Sequence, residues 1–244
     1  MVTTTQETSS RAQLDASHAR ALYYLSLAQP QTTRNYRWYN LVKRLSDIVI
    51  SFLFLLLLSP LMLVICVAIK LTSPGPAILV QERVGRGGRI FPFYKFRSMY
   101  NNGNPTDDER FARDYINGKS PSVTRDGVFK PANEKRVTPI GKFLRKTSLD
   151  ELPQFFNVLK GDMSLVGPRP SMPYEVDVYK PWHFRRLEVL PGITGLAQIN
   201  GRSSLPFKEI VKIDILYIER RSLALDLKIM LKTLPVVLSG RGAR

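Results

Sequence analysis

The longest apolar run in the chain, Ile48–Ile69 (IVISFLFLLLLSPLMLVICVAI), carries no charged residue over 22 positions. At about 1.5 Å per helical residue, such a run reaches across a hydrocarbon core of about 30 Å. Ser59-Pro60 interrupts it near the middle, where proline removes a helical hydrogen bond and crowds the preceding turn. Cations flank both ends: Arg34, Arg37, Lys43 and Arg44 before it, and Lys70, Arg83, Arg86 and Arg89 after it. The charge asymmetry that orients a spanning helix is therefore missing. Two arrangements fit. One is a proline-kinked span; the other is a helix that enters, breaks at Ser59-Pro60 and returns to the same face. In the second, the Ser59 hydroxyl covers a carbonyl that the proline frees. The preceding stretch, MVTTTQETSSRAQLDASHAR, lacks the order of a signal peptide, so the segment reads as internal and retained.

Elsewhere the pattern is that of short elements. Residues 1–36 are rich in Ser, Thr and Gln, with one helical stretch at Arg11–Leu27, and read as a mobile tail or a peripheral helix. Tyr36, Trp38 and Tyr39 beside Arg37 suit a headgroup layer. Ala77–Val84 and Arg89–Arg97 read as two strands around the turn signal Gly85-Arg86-Gly87-Gly88, with Pro92 confining the second to an edge. Residues 100–136 read as a loop or lid with a short helix near Asp107–Ile116. Phe207–Arg221 has helical periodicity. Leu223–Leu238, limited by Pro235, reads either as an interfacial helix or as a core-packing one.

Charge narrows the partners. Across 244 residues, 36 Lys and Arg against 20 Asp and Glu give a net charge of +16. A surplus of this size favours anionic partners: nucleic acid, a phospholipid surface or a phosphorylated substrate. A nucleic-acid binder is one rival reading, but the basic residues are spread among Pro/Gly turns with no recognition helix or RNA-binding aromatic motif, which argues against it. The single cysteine, Cys66, rules out an intramolecular disulfide and reads as a packing residue. His18 and His183 are too few and too far apart for a histidine-built metal site, so any metal needs oxygen ligands, as magnesium does.

The densest chemistry lies at Thr147-Ser148-Leu149-Asp150-Glu151-Leu152-Pro153. On local pattern alone it is structural: Ser148 and Glu151 fit a capping box at a helix start. Its setting changes that weight. Arg145-Lys146 precede it, and the Pro/Gly-framed turns Gly167-Pro168-Arg169-Pro170 and Pro191–Arg202 each fix an arginine suited to phosphate. Adjacent helical residues point about 100° apart, so one carboxylate can attack while its neighbour holds a cation.

These pieces resemble the bacterial polyprenyl-phosphate sugar-1-phosphate transferases, the monotopic phosphoglycosyl transferases. The match runs in order from Lys43-Arg44-x-x-Asp47 through the Ser59-Pro60 run, Gln81-Glu82-Arg83-Val84-Gly85 and Tyr94-Lys95-Phe96-Arg97-Ser98-Met99. It continues through Arg136–Gly141, Thr147–Gln154, Gly161–Pro170, Pro191–Arg202 and Ser239–Gly242. The resemblance implies an α+β monotopic membrane protein. Its parts would be a polar extension (1–42), a re-entrant helix (43–72) broken at Ser59 and Pro60, and a catalytic domain (73–244) with a lid insertion (100–136). It would sit on the cytoplasmic face of the bacterial inner membrane. The multi-span N-terminal region of some members has no counterpart here.

The resemblance also implies chemistry. Asp150 would be the nucleophile and Glu151 would help to bind Mg2+. Lys95, Arg145, Arg169 and Arg202, with Arg97, would bind phosphate and substrate. The donor would be a UDP-sugar, the acceptor polyprenyl (undecaprenyl) phosphate, and the products polyprenyl-diphospho-sugar and UMP. Ala197 departs from the family, where many members carry tryptophan. The sugar is left open, as is self-association, and a basic protein that merely docks on anionic lipid is the non-enzymatic rival.

Overall fold

A computed structural model describes residues 36–100, 105–119, 136–201 and 204–239. The expected helix at Arg11–Leu27 lies outside them. The fold is mixed helix and sheet: one long apolar helix followed by small sheets and short helices.

Helix α1 (Arg37–Thr72) continues through Pro60 for 36 residues, so the expected break at Ser59 and Pro60 is not seen as an interruption of the helix, and it alone among the described residues is long and apolar enough to cross a membrane. Pro60 lacks the N–H that would bond the carbonyl of Leu56, and the Ser59 hydroxyl donates to that carbonyl at 2.9 Å. The lost backbone bond is thus replaced one residue earlier.

Both ends of α1 are tied to the rest of the protein. Near its start, Lys43 meets Asp226 at 2.9 Å, and Arg44 donates to the carbonyls of Val158 and Leu159. Asp47 accepts from the N–H of Leu165. Near its end, Ile65 and Ile69 are buried beside Phe96, Leu144 and Leu152. Tyr36 and Tyr39, expected at the headgroups, instead dock inward: Tyr36 donates to the carbonyl of Glu219 and Tyr39 to Asp226. Of that aromatic trio only Trp38 is exposed.

Strands β1 (Ile78–Val84) and β2 (Ile90–Phe96) form an antiparallel hairpin across a 3-10 turn, Arg86–Gly88, in which Gly87 has φ 70°. Alternation along β2 buries Phe91 and Phe93 on one face, and Lys95 continues that face. The far edge of β2 is sealed by one side chain. Asn157 donates to the carbonyl of Pro92 and accepts from the N–H of Tyr94, satisfying backbone groups that a bare edge would leave open.

Helix α2 (Pro105–Ile116) confirms the short helix of the insertion. Helix α3 (Pro139–Lys146) starts at Thr138, whose Oγ1 accepts from the N–H of Gly141. Any Cβ at Gly141 would meet the carbonyl of Ser98, so glycine lets α3 lie against the end of β2. After α3 come a 3-10 turn (Leu149–Glu151) and α4 (Gln154–Lys160). Strands β3 (Ser164–Val166) and β4 (Gly192–Thr194) pair in parallel. Between them lie α5 (Pro173–Val176) and a 3-10 stretch (Pro181–Glu188).

Helices α6 (Leu196–Ile199), α7 (Phe207–Arg220) and α8 (Leu223–Ser239) complete the chain. Helix α8 continues through Pro235, which was expected to limit it. One face packs into the core, with Asp226 and Ile229 buried, whereas Leu223, Leu227, Leu231 and Leu234 on the rest of the helix are exposed.

Candidate active site

The hairpin, α3 and α4 converge on one cavity of about 580 Å3. Its wall includes five of the residues singled out by sequence: Lys95, Arg145, Asp150, Glu151 and Arg169. Three local causes bring them together. Strand alternation aims Lys95 inward, the Asn157 clamp holds β2 against α4, and Gly141 lets α3 approach β2 closely.

Asp150 is 6% exposed, and the Lys95 ammonium lies 3.3 Å from its Oδ2. Burial lifts the Asp150 carboxyl above the usual carboxylate range, with Glu151 pushing the same way and Lys95 holding it back. Burial likewise lowers Lys95, against the pull of Asp150 and Glu151. Such a pair keeps a carboxylate poorly solvated, which favours reactivity, while still stabilising its ionised form. Next in the chain, Glu151 Oε1 accepts from Arg169 Nη1 at 2.9 Å, and this carboxylate is the main reason the Arg169 guanidinium is held above its ordinary range.

The capping-box reading of Ser148 and Glu151 does not describe this turn. Ser148 makes no side-chain cap bond and sits in the left-handed region at φ 56°, the single such non-glycine among the described residues. That conformation costs roughly 1–2 kcal/mol for a residue with a Cβ. The turn is bent so that Asp150 points at Lys95 and Glu151 at Arg169.

Arg169 stands on a loop of close-packed backbone. Its segment leaves β3 at Gly167, which abuts Gly192 and Gly195; a Cβ at any of the three would strike backbone atoms. Arg186 then fixes the loop. It donates to the carbonyl of Arg169 at 3.2 Å, to the Tyr179 and Ser171 hydroxyls, and to Asp214 at 2.7 Å. Sequence reading missed Arg186, because it lies in no Pro/Gly turn. It also left Arg83 as a motif letter, although Arg83 lines the cavity and donates to the carbonyl of Pro170.

Two expected members are not in the cluster. Arg97 is turned away, 3% exposed, and donates to the carbonyls of Ser73 and Pro74 and to the Ser73 hydroxyl. It seals the end of α1: β2 ends at Phe96, so the alternation that aims Lys95 into the cavity no longer governs Arg97. Arg202 lies outside the described residues. Ala197 is buried on the cavity wall. The side of the cavity nearest α1 is apolar, with Phe54 stacked on Phe155 at 5.2 Å between ring centroids.

No group of three or more His, Cys, Asp or Glu able to cage a metal occurs among the described residues. Mg2+ does not need one: it is commonly held by one or two carboxylates completed by substrate phosphates and water. Asp150 and Glu151, side by side in a cavity rich in phosphate-binding cations, fit that donor set.

The profile of the bacterial sugar transferase family matches residues 38–240. The chain is 53% identical over 171 residues to galactosyl transferase CpsE of Streptococcus agalactiae, covering 70% of this chain and 36% of that one. It is 44% identical over 202 residues to the undecaprenyl-phosphate galactose phosphotransferase of Salmonella typhimurium, covering 83% and 41%. The exopolysaccharide production protein ExoY of Rhizobium meliloti is 38% identical over 204 residues, covering 84% and 88%. The chain thus spans well under half the length of the first two relatives and most of the third. With the match extending from the start of α1 to beyond α8 and enclosing the whole cavity, this chain belongs to the bacterial sugar transferase family.

Proposed function

We propose that the protein transfers a sugar-1-phosphate from a UDP-sugar to a membrane polyprenyl phosphate, undecaprenyl phosphate being the expected carrier, and so begins assembly of a polysaccharide. One observation carries the reading: a buried carboxylate, Asp150, rests on Lys95 in a cationic cavity walled on one side by a residue of the apolar helix. The name of the Salmonella relative supports the carrier.

The chemistry follows from the charges. An Asp150 oxygen attacks the sugar-side phosphorus of the diphosphate, the bond to UMP breaks, and an aspartyl phosphosugar forms. An oxygen of the lipid phosphate then attacks the same phosphorus, releasing polyprenyl-diphospho-sugar and regenerating the carboxylate. Splitting the transfer in this way is covalent catalysis by a carboxylate. Lys95, Arg145 and Arg169 offset the repulsion between nucleophile and diphosphate, each fixed charge contributing about 3 kcal/mol. Mg2+ held through Glu151 would supply further neutralisation of phosphate charge.

We also infer that α1 is re-entrant and that the catalytic body lies on the cytoplasmic side. Support comes from the two grips on α1. Arg44 at one end and Ile69 at the other hold the same body, and a bilayer-crossing helix would put those ends on opposite sides. The cationic flanks favour the cytoplasm at both ends.

Incubating the protein with sugar-labelled UDP-sugar and no lipid tests the covalent route. Label should remain on the wild type under a quench that preserves acyl phosphates and be absent from Asp150→Asn. An Asp150→Asn variant with near-normal turnover ends the scheme, as does turnover indifferent to EDTA for the role of Glu151. UMP release also separates the enzyme from a lipid-docking protein.

A further inference from the structure

We propose that Glu175 and Arg83, which share the cavity wall, form the pocket that holds and selects the sugar ring of the donor. This rests on the transferase reading above and extends it to a part of the cavity that the phosphates do not explain.

Four carboxylates line the cavity: Asp150, Glu151, Glu175 and Asp214. Three are matched by a cation in contact. Asp150 has Lys95 at 3.3 Å, Glu151 has Arg169 at 2.9 Å, and Asp214 has Arg186 at 2.7 Å. Glu175 forms no such ion pair among the described residues; its Oε2 accepts from the N–H of Met172 at 2.8 Å. A carboxylate has about four acceptor sites, so that single bond leaves capacity for a ligand.

A phosphate placed against Glu175 would be repelled, so the ligand group there must bring donors. A UDP-sugar offers donors in three places, the hydroxyls of the sugar ring, those of the ribose and the uracil N3–H. Position chooses between them. Glu175 acts through space on both Arg83 and Arg169, and Arg169 is the residue that grips Glu151, next to the nucleophile. The sugar is bonded directly to the phosphorus that Asp150 attacks, whereas the ribose lies one phosphate further away. Arg83 is steadied over the Phe93 ring at 5.1 Å and by the Pro170 carbonyl, so its position is set before any ligand arrives. Tyr115, from the insertion helix α2, adds an aromatic ring to the same wall.

The test measures UMP release by the full chain with undecaprenyl phosphate across UDP-glucose, UDP-galactose, UDP-N-acetylglucosamine and UDP-N-acetylgalactosamine. Glu175→Gln keeps the acceptor for Met172 but loses the charge. It should lower kcat/KM for the preferred donor roughly tenfold to a hundredfold, the worth of a hydrogen bond to a charged group. The spread between best and worst sugar should shrink while inhibition by UMP stays within about twofold. Glu175→Asp, which retracts the charge by one methylene, should show the same narrowing and serves if the glutamine variant melts early. A weakened UMP inhibition with an unchanged sugar ranking would place the ribose or the uracil there and overturn the proposal. So would unaltered selectivity in both variants. Wild-type protein that releases UMP from none of the donors would sink the transferase reading itself, a failure visible before any variant is made.

Discussion

Lys95→Gln is the sharpest probe of the cavity. At 3.3 Å and an effective dielectric of about 20, the ammonium and the Asp150 carboxylate attract by about 5 kcal/mol before desolvation is counted. Removing one partner of such a pair strands the other and costs roughly 3–5 kcal/mol. What remains around Asp150 pushes one way: burial and Glu151 both raise its pKa, and the principal force opposing them has gone. Attack requires the ionised carboxylate, so the acid limb of the first half-reaction must move to higher pH in the variant. At neutral pH the rate should fall about a hundredfold or more, and Lys95→Arg should recover part of it. The assay is the single-turnover burst of UMP in the absence of lipid, followed from pH 5 to 9. An acid limb that stays put, or moves to lower pH, would refute the assignment of Lys95 as the group that keeps Asp150 charged.

Three further outcomes follow from the geometry. Arg97→Met should lower the melting temperature of the detergent-solubilised protein, by about 3 kcal/mol of stability, since it strips buried carbonyls at the end of α1 of their donor. A variant that melts normally but binds donor poorly would instead return Arg97 to the substrate site. Gly192→Ala should abolish folding or activity, because its Cβ meets the backbone of Gly167; wild-type turnover would show that the loop carrying Arg169 tolerates displacement. His183 is buried among aromatic rings, and burial, helped by Arg186 and Lys180, pushes its imidazole from 6.5 down to about 4. The unfolded chain takes up that proton first, so its contribution is intact above pH 6.5 and declines as pH falls towards 4, by up to about 3 kcal/mol. His183→Asn should flatten the wild-type difference in melting temperature across that window, and identical pH slopes would count against it.

Local signals made much of this legible. The hairpin strands were bounded to within a residue or so by alternation and the Gly-rich turn, and α7 by its periodicity. Asp150, Glu151, Lys95, Arg145 and Arg169, singled out by motif order, all line one cavity. Long-range contacts were not visible. Nothing in the sequence indicates that β2 ends between Lys95 and Arg97, leaving one in the cavity and the other at the end of α1, or that Arg186 reaches back to the carbonyl of Arg169. Tyr36 and Tyr39 misled for the same reason. Aromatics beside a membrane run look like an interfacial belt until their hydroxyls find a buried carboxylate and a carbonyl far along the chain.

The double grip on α1 has a practical corollary for anyone wishing to handle this enzyme without lipid. Deleting the anchor would not liberate a water-soluble catalyst. It would uncover Leu144, Leu152 and Phe155, and withdraw Asp47 from the N–H of Leu165 in the strand that leads to Arg169. Anchor and catalyst fold as one object, so the sound route to a tractable sample is to wrap that helix in amphiphile rather than cut it off.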